Sequence, residues 1–235
     1  MSETQNYRIL ALDTSTEACS AAVLTPEAEF VEFDVCPREH NKRILVMAEQ
    51  VLAQAKLTLA DIDFIAYGKG PGSFTGVRIA TGIVQGMAFG ADKPVVGISS
   101  LAAMAHALYR EYKTENVISA IDARMNEIYL GAYQTQGLGL TQVLIDEVVC
   151  PPQNALNHLD KSINWQAVGT GWQTYHDLLT EQINAQISTD IEFPNALDIA
   201  YLALTEFKQG KFTSADKACP SYVRDQVTWQ KLPGK

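Results

Sequence analysis

Basic charge is in short supply in this chain. Lys and Arg number 18 against 27 Asp and Glu over 235 residues, a net charge of −9. Affinity for nucleic acid rests mainly on cationic side chains that neutralise phosphates. No basic run here is longer than Lys42-Arg43, so tight, direct nucleic-acid binding by the chain alone is disfavoured. Cysteine is sparse as well. Cys19, Cys36, Cys150 and Cys219 form no C-x-x-C pair, and free thiols in a reducing compartment are expected. The histidines are His40, His106, His158 and His176; none has a second His three to five residues away, and only His40 has a Cys, Cys36, at that distance. Zinc-type ligand spacing is therefore missing, and each His is expected at the surface or half-buried rather than on a metal. A G-x-S-x-G elbow, which would mark a hydrolase nucleophile, is lacking too. The charge-free stretches 79–91 and 94–109 run 13 and 16 residues and contain Gly, Gln, Ser or His. Both fall short of the about 18–20 apolar residues of a membrane span. The first six residues are polar and acidic, unlike a secretory leader. A cytoplasmic protein without membrane contact is expected.

What the chain does contain is a weak internal repeat, a feature that decides architecture when present. Ile9-Leu10-Ala11-Leu12-Asp13 and Ile118-Ser119-Ala120-Ile121-Asp122 both read as short apolar strands with Asp at the tip. Each is followed by a second strand (19–24 and 127–133) and a third (29–35 and 142–149). Each then has a Pro and a helical segment, starting near Pro37 and near Pro151. A fourth strand ends in glycines both times, Ala66-Tyr67-Gly68-Lys69-Gly70 and Ala167-Val168-Gly169-Thr170-Gly171, and leads to another helix. Three meandering strands plus a parallel strand reached through a helix make a mixed sheet flanked by helices. The reading is an α/β protein of two such domains, 1–108 and 109–235, the second with an extended, surface-bound tail from 219 to 235. Apolar spacing of three and four predicts helices over 43–54, 73–89, 100–112 and 195–208.

Three features carry candidate chemistry. Gly68-Lys69-Gly70-Pro71-Gly72-Ser73-Phe74-Thr75-Gly76 is a glycine-rich strand-to-helix loop. It suits either a close anion or a tight turn capped by Ser73 or Thr75, and it is not a Walker loop. Asp13-Thr14-Ser15-Thr16 and Asp122-Ala123-Arg124 occupy matching strand tips. Facing each other across a cleft, they could hold a metal–phosphate, or each Asp could simply cap its turn. Gly82, Gly86 and Gly90 lie four apart on a predicted helix, each costing about 1 kcal/mol relative to Ala. They mark either close packing on the chain's own sheet or a helix contact with a partner.

Several stretches together closely resemble the TsaB (YeaZ) family. They are Gly70-Pro71-Gly72-Ser73-Phe74-Thr75-Gly76-Val77-Arg78-Ile79, Leu12-Asp13-Thr14-Ser15-Thr16, Cys36-Pro37-Arg38-Glu39-His40, residues 120–127, Val168-Gly169-Thr170-Gly171-Trp172 and Lys231-Leu232-Pro233-Gly234-Lys235. The resemblance implies a duplicated actin/Hsp70-like ATPase fold of the ribonuclease H-like class, in line with the repeat. It also implies a role in making threonylcarbamoyladenosine (t6A) in tRNA. There the transfer belongs to a paralogue, TsaD, whose metal is held by a His-x-x-x-His motif. The matching positions here are Ser100 and Met104, which do not replace two imidazoles. By the resemblance this chain has no catalytic residue and no metal, and serves as a non-catalytic activating subunit. Its partners would be TsaD in a heterodimer and the ATPase TsaE, with a homodimer in isolation and tRNA reached only through the complex.

The same resemblance implies the sites. ATPases of this fold carry a Gly soon after each hairpin Asp, where this chain has Thr14-Ser15 and Ala123-Arg124. No cofactor is expected to be tightly bound, with ATP or ADP the candidate at the partner interface and Asp13, Thr14, Ser15, Gly70, Gly72 and Asp122 the residues to meet it. The partner interface is expected at Arg43, Met47, Phe74, Arg78, Thr81, Gly82, Gln85 and Gly86. The competing readings are a small-molecule kinase or ATPase of the same fold and a glycopeptidase-like hydrolase.

Overall fold

A computed structural model describes residues 6–224. The first half contains β1 (Ile9–Asp13), β2 (Ala18–Leu24), β3 (Glu29–Val35), α1 (His40–Ala55), β4 (Phe64–Gly70), α2 (Phe74–Ala91), β5 (Val95–Ser99) and α3 (Ser100–Tyr112). The second contains β6 (Asn116–Arg124), β7 (Glu127–Gly137), β8 (Leu140–Cys150), β9 (Trp165–Val168), α4 (Thr170–Thr174), α5 (His176–Thr180), β10 (Ala185–Ile187) and α6 (Ala196–Lys208). One sheet runs β3-β2-β1-β4-β5 and the other β8-β7-β6-β9-β10. Position for position the two orders are the same. In each half the first two pairings are antiparallel and the last two parallel. The repeat read from the strands is thus a repeat of topology.

The helices of the second half are reduced. The helix expected near Pro151 is a single 3₁₀ turn, Pro152–Asn154. The helix after β9 is broken at Tyr175, whose φ of −121° and ψ of 34° are not helical. The short β10 was not expected from the sequence.

Side-chain alternation explains how the first sheet is covered. Leu10, Leu12, Cys19, Ala21 and Val23 face the core under α1 and α2. Ile9, Ala11, Ala22 and Leu24 face the core under α6. Every residue of β1 and β2 is consequently buried. In the second half, Ile118, Ala120, Ile128 and Leu130 pack with Trp172 and Leu179 on the α4–α5 side. Val117, Ile121 and Tyr133 pack against Leu101, Met104, Ala105 and Leu108 of α3. The helices following β5 and β10 are therefore exchanged: α3 covers mainly the second sheet and α6 the first. The result is a five-layer stack, α1/α2, sheet, α3/α6, sheet, α4/α5. A cut at 108/109 passes through α3.

The middle layer is fixed by a buried ionic cluster. Asp198 on α6 accepts from His106 Nδ1 at 2.7 Å and from Arg110 Nε at 3.0 Å and Nη2 at 3.2 Å. Because His106 Nε2 accepts from Gly139 N at 2.9 Å, the ring proton sits on Nδ1. His106 and Asp198 are fully buried and His40 nearly so, which corrects the expectation of surface or half-buried histidines. Gly139 has φ +77°, and a Cβ there would lie 2.7 Å from Tyr201 O. The turn between β7 and β8 needs glycine to reach the cluster.

Residues 213–224 form a strap across the molecule. Thr213 pairs with Val95, Tyr67 Oη bonds both N and O of Cys219, and Ser221 N donates to Lys69 O at 2.7 Å. Arg224 then reaches Glu127 and Ala123 O in the second half. As expected, 219–224 carry no helix or strand. The rest of the expected tail, and the motif at 231–235, lie outside the described residues. All four cysteines are free thiols, and no described helix is long and apolar enough to cross a membrane.

Truncating Asp198 takes the acceptor from the buried His106 Nδ1–H and leaves the partly exposed Arg110 with Glu111 alone. Asp198→Ala is expected to lose about 1–3 kcal/mol of stability, measured by urea unfolding at pH 7.

Candidate functional site

The two strand tips singled out in the sequence meet in the structure, but neither is open. In the first, Asp13 Oδ2 accepts from Ser15 N at 3.1 Å and Ser15 Oγ at 3.0 Å. Ser15 Oγ in turn accepts from Ser100 Oγ at 2.8 Å. The glycine-rich loop closes directly on this hairpin. Ser73 N donates to Ser15 O at 2.7 Å and Thr14 Oγ1 donates to Gly76 O at 2.7 Å. A Cβ at Gly68 would lie 1.8 Å from Asp13 Oδ1, at Gly72 2.2 Å from Ser15 O, and at Gly76 2.0 Å from Thr14 O. These glycines admit the chain's own hairpin, a close approach no other residue allows. Of the two helix caps considered, Ser73 is the one used, accepting from Gly76 N at 3.3 Å. Gly70 has φ +101° and is buried against the strap.

Asp13, Thr14 and Ser15 are all 0% exposed, so in this conformation they do not line a cleft. Asp13 Oδ1 has no hydrogen-bond partner among the described residues. Burial pushes the Asp13 carboxyl up to about 7, only partly offset by the Ser15 donors.

The second tip is held by an arginine. Asp122 Oδ1 accepts from Arg124 N at 2.9 Å and its Oδ2 from Arg124 Nη1 at 2.8 Å. Arg124 Nη2 continues to Glu17 Oε1 at 2.7 Å in the first hairpin. Three consecutive left-handed residues, Arg124, Met125 and Asn126 with φ of 62°, 57° and 60°, aim this side chain. A guanidinium therefore spans the gap in which the sequence reading set a metal–phosphate, and each Asp is engaged within its own half.

Ser100 and Met104 are both 0% exposed. Ser100 belongs to the Ser15–Asp13 network, and Met104 Cε packs at Gly169, where a Cβ would approach it to 2.6 Å. The two positions are core. No described group of three His, Cys, Asp or Glu side chains could hold a metal ion.

The expected interface residues divide. Arg43, Phe74, Arg78, Gly82 and Gly86 are exposed. Met47 is 3% and Thr81 4% exposed, which removes both from the surface. Met47 continues the inward stripe of Ile44 and Val51, and Thr81, whose hydroxyl donates to Val77 O, continues that of Val77 and Val84. Gln85 is half-buried and donates to Ala218 O in the strap. A Cβ at Gly82, Gly86 or Gly90 meets nothing within 4 Å, so packing on the chain's own sheet does not explain these glycines.

Two clusters escaped the sequence reading. One is His106–Asp198–Arg110. In the other, Ser99 Oγ and Tyr133 Oη both donate to Glu147 Oε1. Their members are far apart in sequence, and only the topology brings them together.

Two topologically identical halves facing each other through Asp-tipped hairpins define a duplicated protein of the actin-like ATPase fold. Residues 34–232 match the family model described as TsaD, tRNA N6-adenosine threonylcarbamoyltransferase. A protein of Haemophilus influenzae named tRNA threonylcarbamoyladenosine biosynthesis protein TsaB is 44% identical over 98% of this chain and 99% of its own length. The protein of that name from Escherichia coli is 42% identical over 97% and 99%. The solved structure of YeaZ from Pseudomonas aeruginosa superposes with a TM-score of 0.85 at 41% identity, covering 92% of this chain and 99% of that one. The chain belongs to the TsaB family.

The Asp13 environment sets a pH dependence. Its carboxyl is raised in the fold relative to 3.8, so the native state holds a proton that the unfolded chain has released. Stability contributed there is present at acid pH and lost as pH rises from about 4 to about 7. Asp13→Asn is expected to flatten this decline in urea titrations. It should match the parent near pH 4.5 and exceed it at pH 8 by about 2–4 kcal/mol.

Proposed function

We propose that this chain acts in tRNA threonylcarbamoyladenosine synthesis as the non-catalytic partner of a TsaD-type transferase, with TsaE joining the pair and tRNA reached through the complex. TsaB family membership supports the pathway. The observation that carries the partner role is the outward face of α1 and α2. The two helices lie side by side on one sheet. Their outer surface carries the unopposed Gly82, Gly86 and Gly90 and the large exposed side chains Leu45, Val46 and Phe89. A bare helix side beside apolar groups admits a second helix at close range. In the absence of TsaD the same face would pair two copies of this chain about a two-fold axis.

The family model matched is that of a transferase, so a catalytic role is the alternative to weigh. Burial of Ser100 and Met104 speaks against it, as does the Arg124 bridge against a hydrolytic phosphate site. The reading has no tightly bound nucleotide, with ATP or ADP meeting the chain only at the shared interface. The purified chain alone is expected neither to transfer threonylcarbamoyl from threonylcarbamoyl-AMP to tRNA nor to hydrolyse ATP. Turnover by the partner-free protein in either assay refutes the non-catalytic assignment.

The interface has its own test. Because the space beside Gly82 is open, Gly82→Leu should fold normally and gain up to about 1 kcal/mol of helix propensity. Sedimentation velocity is expected to show a weakened homodimer and weakened TsaD binding. Unchanged assembly removes this face from the interface.

A further inference from the structure

Beside the closed hairpins lies an open pocket that shares Phe74 and Arg78 with the expected partner interface. Its volume is about 590 Å³, within the roughly 300–1,000 Å³ of small-molecule sites. Three parts of the chain wall it: Phe74, Val77 and Arg78 at the start of α2, Tyr129 on β7, and Tyr222 and Arg224 on the strap. The lining is mostly apolar, with three aromatic rings from three separate segments.

Two cations stand in this wall. Among the described residues Arg78, like Arg8 and Arg38, has no carboxylate within 4 Å, whereas Arg43, Arg110, Arg124 and Arg224 do. Its guanidinium is instead stacked 3.2 Å from the Phe74 ring centroid and 5.2 Å from that of Tyr222. Such stacking orients the planar group while leaving its N–H edge free to donate. Arg224 is held by Glu127 and Ala123 O, but its Nε is buried and unpartnered among the described residues.

We infer that this pocket binds a small organic anion with a flat aromatic body, the rings of Tyr129 and Tyr222 flanking the body and Arg78 receiving the charge, with the partly exposed Arg224 guanidinium beside it. The shared chemistry is an aryl group joined to a phosphate or carboxylate. It could come from a nucleoside monophosphate or from an aryl carboxylic acid. The inference rests on the pocket alone and not on the partner reading, and it concerns the isolated chain.

The test uses two fluorescent probes of the same shape on the full chain. 8-Anilinonaphthalene-1-sulfonate carries the anion, and N-phenyl-1-naphthylamine is its neutral counterpart. The sulfonate is expected to bind at least about tenfold more tightly, the worth of one charge-assisted hydrogen bond. Arg78→Met and Arg224→Met should each erase that preference while leaving the neutral probe's affinity unchanged. Lys161→Met, which removes an exposed cation of the second half, should change neither. Competition by adenosine 5′-monophosphate or by 4-hydroxybenzoate then assigns the source. Equal affinity for the two probes, a preference that survives both arginine substitutions, or displacement by neither competitor overturns the inference.

Discussion

The close seat of the glycine-rich loop on the first hairpin constrains everything around it. Gly68, Gly72 and Gly76 bring the backbone of β4 and α2 onto Asp13, Thr14 and Ser15 at distances a Cβ would forbid. That contact buries the hairpin and shuts the place where a phosphate would enter. It also fixes the start of α2 relative to the sheet, and with it the direction in which the outer face of that helix points. Ser100 joins the same knot through Ser15, where its hydroxyl is structural.

Much of the fold was legible in the sequence because burial on both faces leaves a strong pattern. The first four residues of β1 are apolar and the fifth is Asp, and a similar string, with Ser119 in second place, recurs at 118–122. The helix expected over 100–112 coincides with α3. The second half was harder to read. The stretch after Pro151 has Asn, His and Asp where a helix needs an apolar stripe, and it forms a turn. Site residues were less legible than strands. A glycine-rich loop reads the same whether it cradles a phosphate or its own backbone, and only the Cβ distances at 72 and 76 tell the two apart. Met47 and Thr81 were expected at an interface although their spacing from Ile44 and Val77 places them on the inward stripe. The periodicity held that information. The Asp198 cluster had no local signal, since Asp198 lies 88 and 92 residues from Arg110 and His106.

A duplicated fold offers two copies of every part, and this chain uses them unequally. The hairpin of the first half is sealed by hydroxyls and glycines, that of the second by Arg124. The outer face of α1 and α2 and the pocket under the strap both stay open. The two adjoin at the start of α2, where Phe74 and Arg78 belong to both.

The exchange of α3 and α6 between the sheets has a consequence for how such a protein could arise and be divided. In a chain built as two tandem beads, either bead can be cut free. Here each half lends its last helix to its neighbour, so an isolated half would expose one face of its sheet to water and carry a helix with nothing to cover. The two copies are interlocked like clasped hands, and the unit that folds, is inherited and can be recombined is the pair.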